Sequence, residues 1–370
     1  MLEFVTAGES HGPCLICVVT GLPAGVPVDV AGIDAELARR QQGYGRGGRM
    51  AIERDRVEVL SGVRQGRSIG SPVAMRIANR DNTIDALPPV TRPRPGHADL
   101  AGGLKYLTGD MRDVLERASA RETAARVAAG ALVKSLLGPF GIEVFGHVLA
   151  IGGVWSEVDF FADRAARDRS EMFCLDVEAT AQMKDRVDQG RQAGDSVGGV
   201  VEVQVLGAPP GLGACDQWHR RLDARLAGVL MGIQAIKGVE VGDGFRTARR
   251  RGSAAHDEIE AGPGGLRRRT GRAGGTEGGM TTGEVLRVRA AMKPISTVPK
   301  ALDTVDVATG EAAQAINQRS DVCAVPAAGV VAEAMVALVL ADAALEKFGG
   351  DSVAETARNA RSYLDYLAVR

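Results

Sequence analysis

The chain of 370 residues lacks a cysteine framework and an excess of charge of either sign. Cys14, Cys17, Cys174, Cys215 and Cys323 are odd in number and scattered, which excludes a disulfide-stapled fold and points to a reducing, cytoplasmic setting. Cys14 and Cys17 form a C-x-x-C without a second pair, inside a segment, Leu15 to Thr20, that reads as a β-strand. Alternate thiols there are expected to fill the core. A formal net charge of -1, from 45 basic and 46 acidic groups, gives no overall electrostatic case for nucleic acid or an anionic membrane as partner. The start, MLEFVTAGESHG, lacks a basic segment followed by an apolar stretch, so no signal peptide is expected. The one long apolar run, Val322 to Ala341, contains Pro326, Gly329 and Glu333 and reads as a buried core helix. No metal is expected, because His147, His219 and His256 show no metal-ligand spacing.

What the chain has is arginine, far more than lysine, and glycine-rich stretches that carry it. Alternation predicts strands at Val57 to Leu60, Pro72 to Ala78, Ser196 to Leu206 and Glu284 to Ala290. In the third, Val201, Val203 and Val205 form one face and Glu202 and Gln204 the other, the pattern of a half-buried antiparallel strand. Helical spacing covers Ile33 to Gln42, Ser119 to Leu137, Asp216 to Ile236, Ala327 to Lys347 and Ser352 to Leu367. Long Ala-rich helices pack closely, which suits an internal helical layer between sheets. No linker, charge block or tandem repeat divides residues 1–370, so one domain is expected.

Between these elements lie loops suited to anions. GESHG sets Ser10 and His11 between glycines after an apolar strand. RRQQGYGRGGR has the G-x-G-x-x-G spacing but follows a helix, so it fails as a dinucleotide fingerprint and reads as a flexible anion clamp with Arg40, Arg46 and Arg49. In RPRPGHADL, Arg94 stands near His97; a cation beside an imidazole calls for an anion that neutralises both, which favours a phosphate or carboxylate ligand. Ser119 to Glu122 reads as an S-x-x-E capping box, with Arg117 and Ser119 near a helix N-terminus. MKPIST and NQRSDVCAVP supply Lys293, Ser296, Thr297, Arg319 and Asp321; Asp321 beside Arg319 serves as a base only if that pair is separated or occupied by ligand.

Together GESHG, RRQQGYGRGGR, RPGHADL, RASARETAARVA, GDSVGGVVE, GGMTTGE, MKPIST and RSDVCAVPAA occur in the order found in the chorismate synthase family, which the chain resembles from Met1 to Gly350. The resemblance implies an α+β fold, a β-α-β sandwich with a helical layer between two mainly antiparallel sheets, assembled as a homotetramer. It implies a lyase that removes phosphate from 5-enolpyruvylshikimate-3-phosphate with the help of reduced FMN, NADPH being a possible reductant. It makes His11 the acid toward the leaving phosphate, His97 the group near the flavin's pyrimidine ring, and Asp321 an aid to proton removal through the flavin's central nitrogen. FMN contacts carry over to Arg117, Ala118, Ser119, Gln234, Ala235, Gly278, Lys293, Pro294, Ile295, Ser296, Thr297 and Arg319. Ser10, Arg40, Arg46, Arg49 and Arg94 go to substrate or NADP. Ala118 departs from a family serine, leaving only a backbone contact there. The competing readings are a phosphate-binding module without catalysis, against which two loop histidines and an aspartate are surplus, and an oxidoreductase with net electron transfer.

Overall fold

The computed structural model describes residues 1–48, 53–158, 163–262, 265–315 and 321–368. Strands β1 (Glu3–Ala7), β2 (Cys14–Thr20), β3 (Val57–Val59) and β4 (Val73–Ala78) form an antiparallel sheet in the order β1-β2-β4-β3. Strands β5 (Glu143–Ile151), β6 (Val154–Trp155), β7 (Gly199–Leu206), β8 (Ile236–Val241) and β9 (Leu286–Met292) form a second, also antiparallel, in the order β8-β9-β7-β5-β6.

The helices are α1 (Val30–Gln41), α2 (Asp99–Tyr106), α3 (Arg112–Ala118), α4 (Thr123–Leu137), α5 (Arg164–Arg169), α6 (Val177–Gln192), α7 (Leu222–Met231), α8 (Val325–Phe348) and α9 (Val353–Ala368), besides short turns. Helix α4 packs on the first sheet and α8 on the second, and the two pack on each other, which makes the α+β sandwich with a helical layer inside. Apolar residues all around α8 are buried, so the long hydrophobic run is the centre of this layer. Gly130 of α4 sets how closely the helices approach: a Cβ there would lie 2.4 Å from the Ala334 Cβ and 2.6 Å from its Cα.

Two expectations are corrected. Strand β2 alternates, so Cys17 is in the core while Cys14, three residues earlier, is half-buried on the other face. The second face of β7 is not solvated as expected: Glu202 and Gln204 are buried too. Glu202 accepts from Arg289 Nε at 2.7 Å and Gln204 Nε2 at 2.7 Å, with His147 Nε2 at 3.3 Å.

Gly130→Ala adds helix propensity of about 1 kcal/mol, but the overlap is with Ala334 backbone and overpacking costs about 3 kcal/mol or more. The net expectation is a destabilisation of about 2 kcal/mol, read as a lower urea midpoint with an unchanged slope. A second prediction follows from Glu202: burial would raise its carboxyl, but His147, Arg289 and Gln204 outweigh burial and hold it down at about 2. A depressed acid stabilises the fold above its unfolded value of about 4.3, and that contribution is lost as pH falls through the folded value. Glu202→Gln should therefore show a shallower loss of stability than the wild type over that acid window, measured by denaturation at stepped pH.

Candidate active site

Where the helical layer meets the loops, a cleft of about 900 Å³ opens. Its walls come from the β1–β2 loop, the turn after α1, the junction of α3 and α4, the segments around Gln234 and Lys293, and the start of α8. Ser10, His11, Arg40, Arg46, Arg94, His97, Ala118, Ser119, Gln234, Ala235, Lys293, Ile295, Ser296, Thr297 and Asp321 line it, so most residues singled out in the sequence meet in one place. Arg117, Gly278 and Pro294 do not line it. Arg117 instead donates to Thr6 O and Gly8 O at 3.0 and 3.1 Å, along β1. Gly278 belongs to a tight turn near Cys215 and Met280. Arg49 and Arg319 lie outside the described residues.

The anion required by Arg94 and His97 is internal. Asp99, fully buried at the start of α2, accepts from Arg94 Nε at 2.8 Å and lies 2.5 Å from His97 Nδ1. Burial would raise the Asp99 carboxyl, but the bonds from His97 and Arg94 hold it well below the usual carboxylate range. Arg94 also donates to Thr297 Oγ1 at 3.0 Å, joining this loop to the turn after β9. In that turn Lys293 Nζ donates to Gly96 O at 2.5 Å, and burial lowers the affinity of the amine for its proton. Opposite Lys293, Ala235 holds a left-handed φ of 66° while its carbonyl accepts from Lys293 N at 2.9 Å, a strained backbone at the cleft wall.

The second imidazole is built alike. His11 Nδ1 lies 2.9 and 3.0 Å from the two oxygens of Glu116, whose side chain is fully buried in α3. Arg112, one turn earlier, donates to the same carboxylate at 3.1 Å. Burial would raise Glu116, and its bonds from His11 and Arg112 more than offset that. Asp81 lies 3.7 Å from His11 Nε2.

Arg40 belongs to the last turn of α1, not to the loop. It is buried, donates to Thr123 Oγ1 at 2.9 Å and Ala120 O at 2.8 Å, and burial pushes its guanidinium down to about 9 against the opposing effect of Asp55. Arg121 is held by Asp55 at 2.6 Å. The capping box is only half made: Ser119 Oγ caps a 3-10 turn by accepting from Arg121 N, whereas Glu122 turns to Thr6, Arg126 and Gln234.

Asp321 is paired with Arg46, at 2.6 Å, and accepts from Gly47 N at 2.5 Å. The loop expected to be flexible is thus fastened over Gly43 to Gly48. Gly45 makes this possible: its carbonyl accepts from Val322 N at 2.8 Å, and with φ at +92° a Cβ would lie 3.0 Å from the Cys323 Cβ. Arg112, Arg121, Asp81, Asp99 and Glu116 escaped the sequence reading as site residues. Asp99 stands in HADL and Arg121 in ASARET, so adjacency to a singled-out residue was their only signal.

A cleft with paired imidazoles, guanidiniums backed by carboxylates and an apolar wall from Ala327, Ala328 and Val331 defines an enzyme for a small polyanion. The family model described as chorismate synthase matches residues 2–345. A chorismate synthase of Acidothermus cellulolyticus is 62% identical over 100% of both chains. One of Thermobifida fusca is 59% identical, again over 100% of both. A solved crystal structure of a chorismate synthase, 42% identical, superposes with a TM-score of 0.83 over 100% of this chain and 99% of its own. The chain belongs to the chorismate synthase family, and is a carbon–oxygen lyase acting on phosphates.

Asp321→Ala removes a charge-assisted pair worth about 1.5–3 kcal/mol. Trypsin should then cut after Arg46 about tenfold faster or more, measured by limited proteolysis of the folded protein; an unchanged rate would show that the loop is held by its other bonds.

Proposed function

We propose that this cleft binds 5-enolpyruvylshikimate-3-phosphate beside reduced FMN and carries out the anti-1,4-elimination of phosphate that gives chorismate, the last step of the shikimate pathway. The observation that carries this reading is the convergence of His11, His97 and the cations Arg40, Arg46, Arg94, Arg112, Arg121 and Lys293 on one cleft. Two carboxylates and a phosphate on one substrate call for such a set of planar and point-like donors.

The residues present fit a flavin. Ala118, Ile233, Ala327, Ala328 and Val331 give an apolar surface, and the buried Gln234 Oε1 has no hydrogen-bond partner, an acceptor suited to a ring N–H. Ser119, Gln234, Ala235, Lys293 and Ser296 to Thr297 would hold it, and Ala118 adds apolar surface but no hydroxyl. When bound, reduced FMN supplies an electron-rich ring that stabilises the departing phosphate's transition state and accepts the ring proton. His11 gives a proton to the phosphate oxygen as the C–O bond breaks and the leaving group departs with the bonding electrons. His97 fixes the edge of the flavin site. Asp321 assists removal of the proton at the other end of the new diene once Arg46 turns from it to a substrate anion.

Arg40 is fastened to Thr123 and Ala120 O deep in the cleft, which favours a substrate role for Arg40 and Arg46 over contacts to NADP. NADPH then serves only to keep the flavin reduced. The same reading makes the protein a cytoplasmic homotetramer, each chain one catalytic domain over 1–370, with no nucleic-acid or membrane partner. Five free thiols fit a reducing compartment and α8 is buried in the core; the tetramer rests on the family resemblance.

Anaerobic turnover with chemically reduced FMN should release one phosphate per chorismate without further reductant; reductant use in step with product would favour the oxidoreductase reading. In this assay His11→Ala and His97→Ala should each lower kcat by about 100-fold, with the fold intact by circular dichroism. Asp321→Asn should slow the later C–H cleavage and enlarge the deuterium isotope effect at the removed ring position. An unchanged isotope effect with normal turnover would leave Asp321 a structural residue that holds Arg46.

A further inference from the structure

Two arginine–carboxylate–histidine triads face the same cleft: Arg112–Glu116–His11 and Arg94–Asp99–His97. In each, the imidazole meets its carboxylate through Nδ1, and the carboxylate side chain is fully buried. Helix α3 presents Arg112 and Glu116 one turn apart, so the guanidinium reaches Glu116 Oε1 while His11 occupies both oxygens. Glu116 Oε2 also accepts the His11 backbone N–H at 2.9 Å, and the Glu116 carbonyl accepts from Ser10 N at 3.0 Å. A tether for the loop would need only these backbone bonds. The ring contact goes further.

An ionised carboxylate only accepts hydrogen bonds, and Arg112 and the His11 N–H keep Glu116 ionised. The proton between Glu116 and the ring therefore sits on Nδ1. The bond made by one ring nitrogen sets the state of the other. Nε2 is left toward the cleft, where Asp81, itself a lining residue, stands 3.7 Å away. At His97 two groups meet Nδ1, Asp99 Oδ1 at 2.5 Å and Arg94 Nη2 at 3.1 Å; the nearer carboxylate, held by Arg94 Nε on its other oxygen and by Nη2 on the same one, places the proton on Nδ1 as at His11.

We infer that Glu116 is a positioning residue that keeps one proton on Nδ1 of His11, so that Nε2 takes up the second proton of the imidazolium and gives it up, leaving the neutral Nδ1–H ring, and that Asp99 is the matching lock for His97. The inference rests on the elimination proposed above for what the proton does, but not for where it sits. A glutamine at 116 keeps the shape, yet its amide can donate to Nδ1 and reverse the tautomer, so the proton leaves the wrong nitrogen in the neutral ring. The groups that bear on His11 are Glu116 and Arg112 from α3 and Asp81 from the loop after β4.

The test uses the full chain labelled with 15N-histidine, its imidazoles followed by long-range proton–nitrogen correlation through the range where the rings become neutral. Neutral His11 and His97 of the wild type should both carry the proton on Nδ1. Glu116→Gln should lower kcat by about 100-fold with KM within about threefold, and shift neutral His11 toward the Nε2–H form. Asp99→Asn should do the same at His97. A wild-type His11 found as Nε2–H would overturn the inference without any variant. So would a folded Glu116→Gln enzyme with wild-type kcat, or one that loses activity with the His11 tautomer unchanged, since the role is then structural. If the wild type fails to turn over the phosphorylated substrate at all, the proposed reaction falls while the tautomer measurement still decides the inference.

Discussion

The arginines and both histidines of the cleft lean on carboxylates set behind them. Asp99 stands behind Arg94 and His97, Glu116 behind His11 and Arg112, Asp55 behind Arg121 and at 3.6 Å from Arg40, and Asp321 beside Arg46. Packing several guanidiniums into one apolar-walled space without these partners would cost several kcal/mol per charge. The side chains of Asp55, Asp99 and Glu116 are fully buried, so water does not screen the pairs. The arrangement fixes donors toward the cleft before any ligand arrives, which is the condition for stabilising charge that develops during a reaction.

The sandwich supplies what those pairs need. Consecutive residues of α1 point to different duties: Arg40 toward the cleft, Arg39 into the helical layer. There Glu333, fully buried in the middle of α8, gathers Arg39, Lys134 of α4 and Arg167 of α5, and accepts from Gly146 N at 2.9 Å. Burial would raise Glu333, but these cations outweigh it and hold the carboxyl down. The cluster ties both central helices, the second sheet and α1 at one point, which fixes the base on which Arg40 and the start of α8 stand.

Much of this architecture was legible because burial leaves a periodic trace. Leu222, Leu226, Leu230 and Ile233 read as one stripe and are all buried, although the regular helix runs only from Leu222 to Met231. His11 and His97 were legible for another reason: glycine-flanked loops have little use for a core histidine. Asp99, Glu116 and Arg112 were not, because a carboxylate or guanidinium on a short helix reads the same whether it faces water or a buried partner. Glu202 misled for that reason, its alternation suggesting solvent where His147 and Arg289 wait. The bond from Arg46 to Asp321 was not legible, because Arg46 arrives from a distant loop through Gly45; Arg319, the neighbour in sequence, lies outside the described residues. Pairings of this kind are set by tertiary approach, and no local pattern encodes them.

The most direct test of this preorganised cleft is a crystal structure of the protein with 5-enolpyruvylshikimate-3-phosphate and FMN bound. Preorganisation predicts that the Arg94–Asp99–His97 and Arg112–Glu116–His11 contacts persist, with those side chains displaced by less than about 1 Å, while Arg46 turns from Asp321 to a substrate anion. Ligands that instead draw His11 from Glu116, or Arg94 from Asp99, would contradict it.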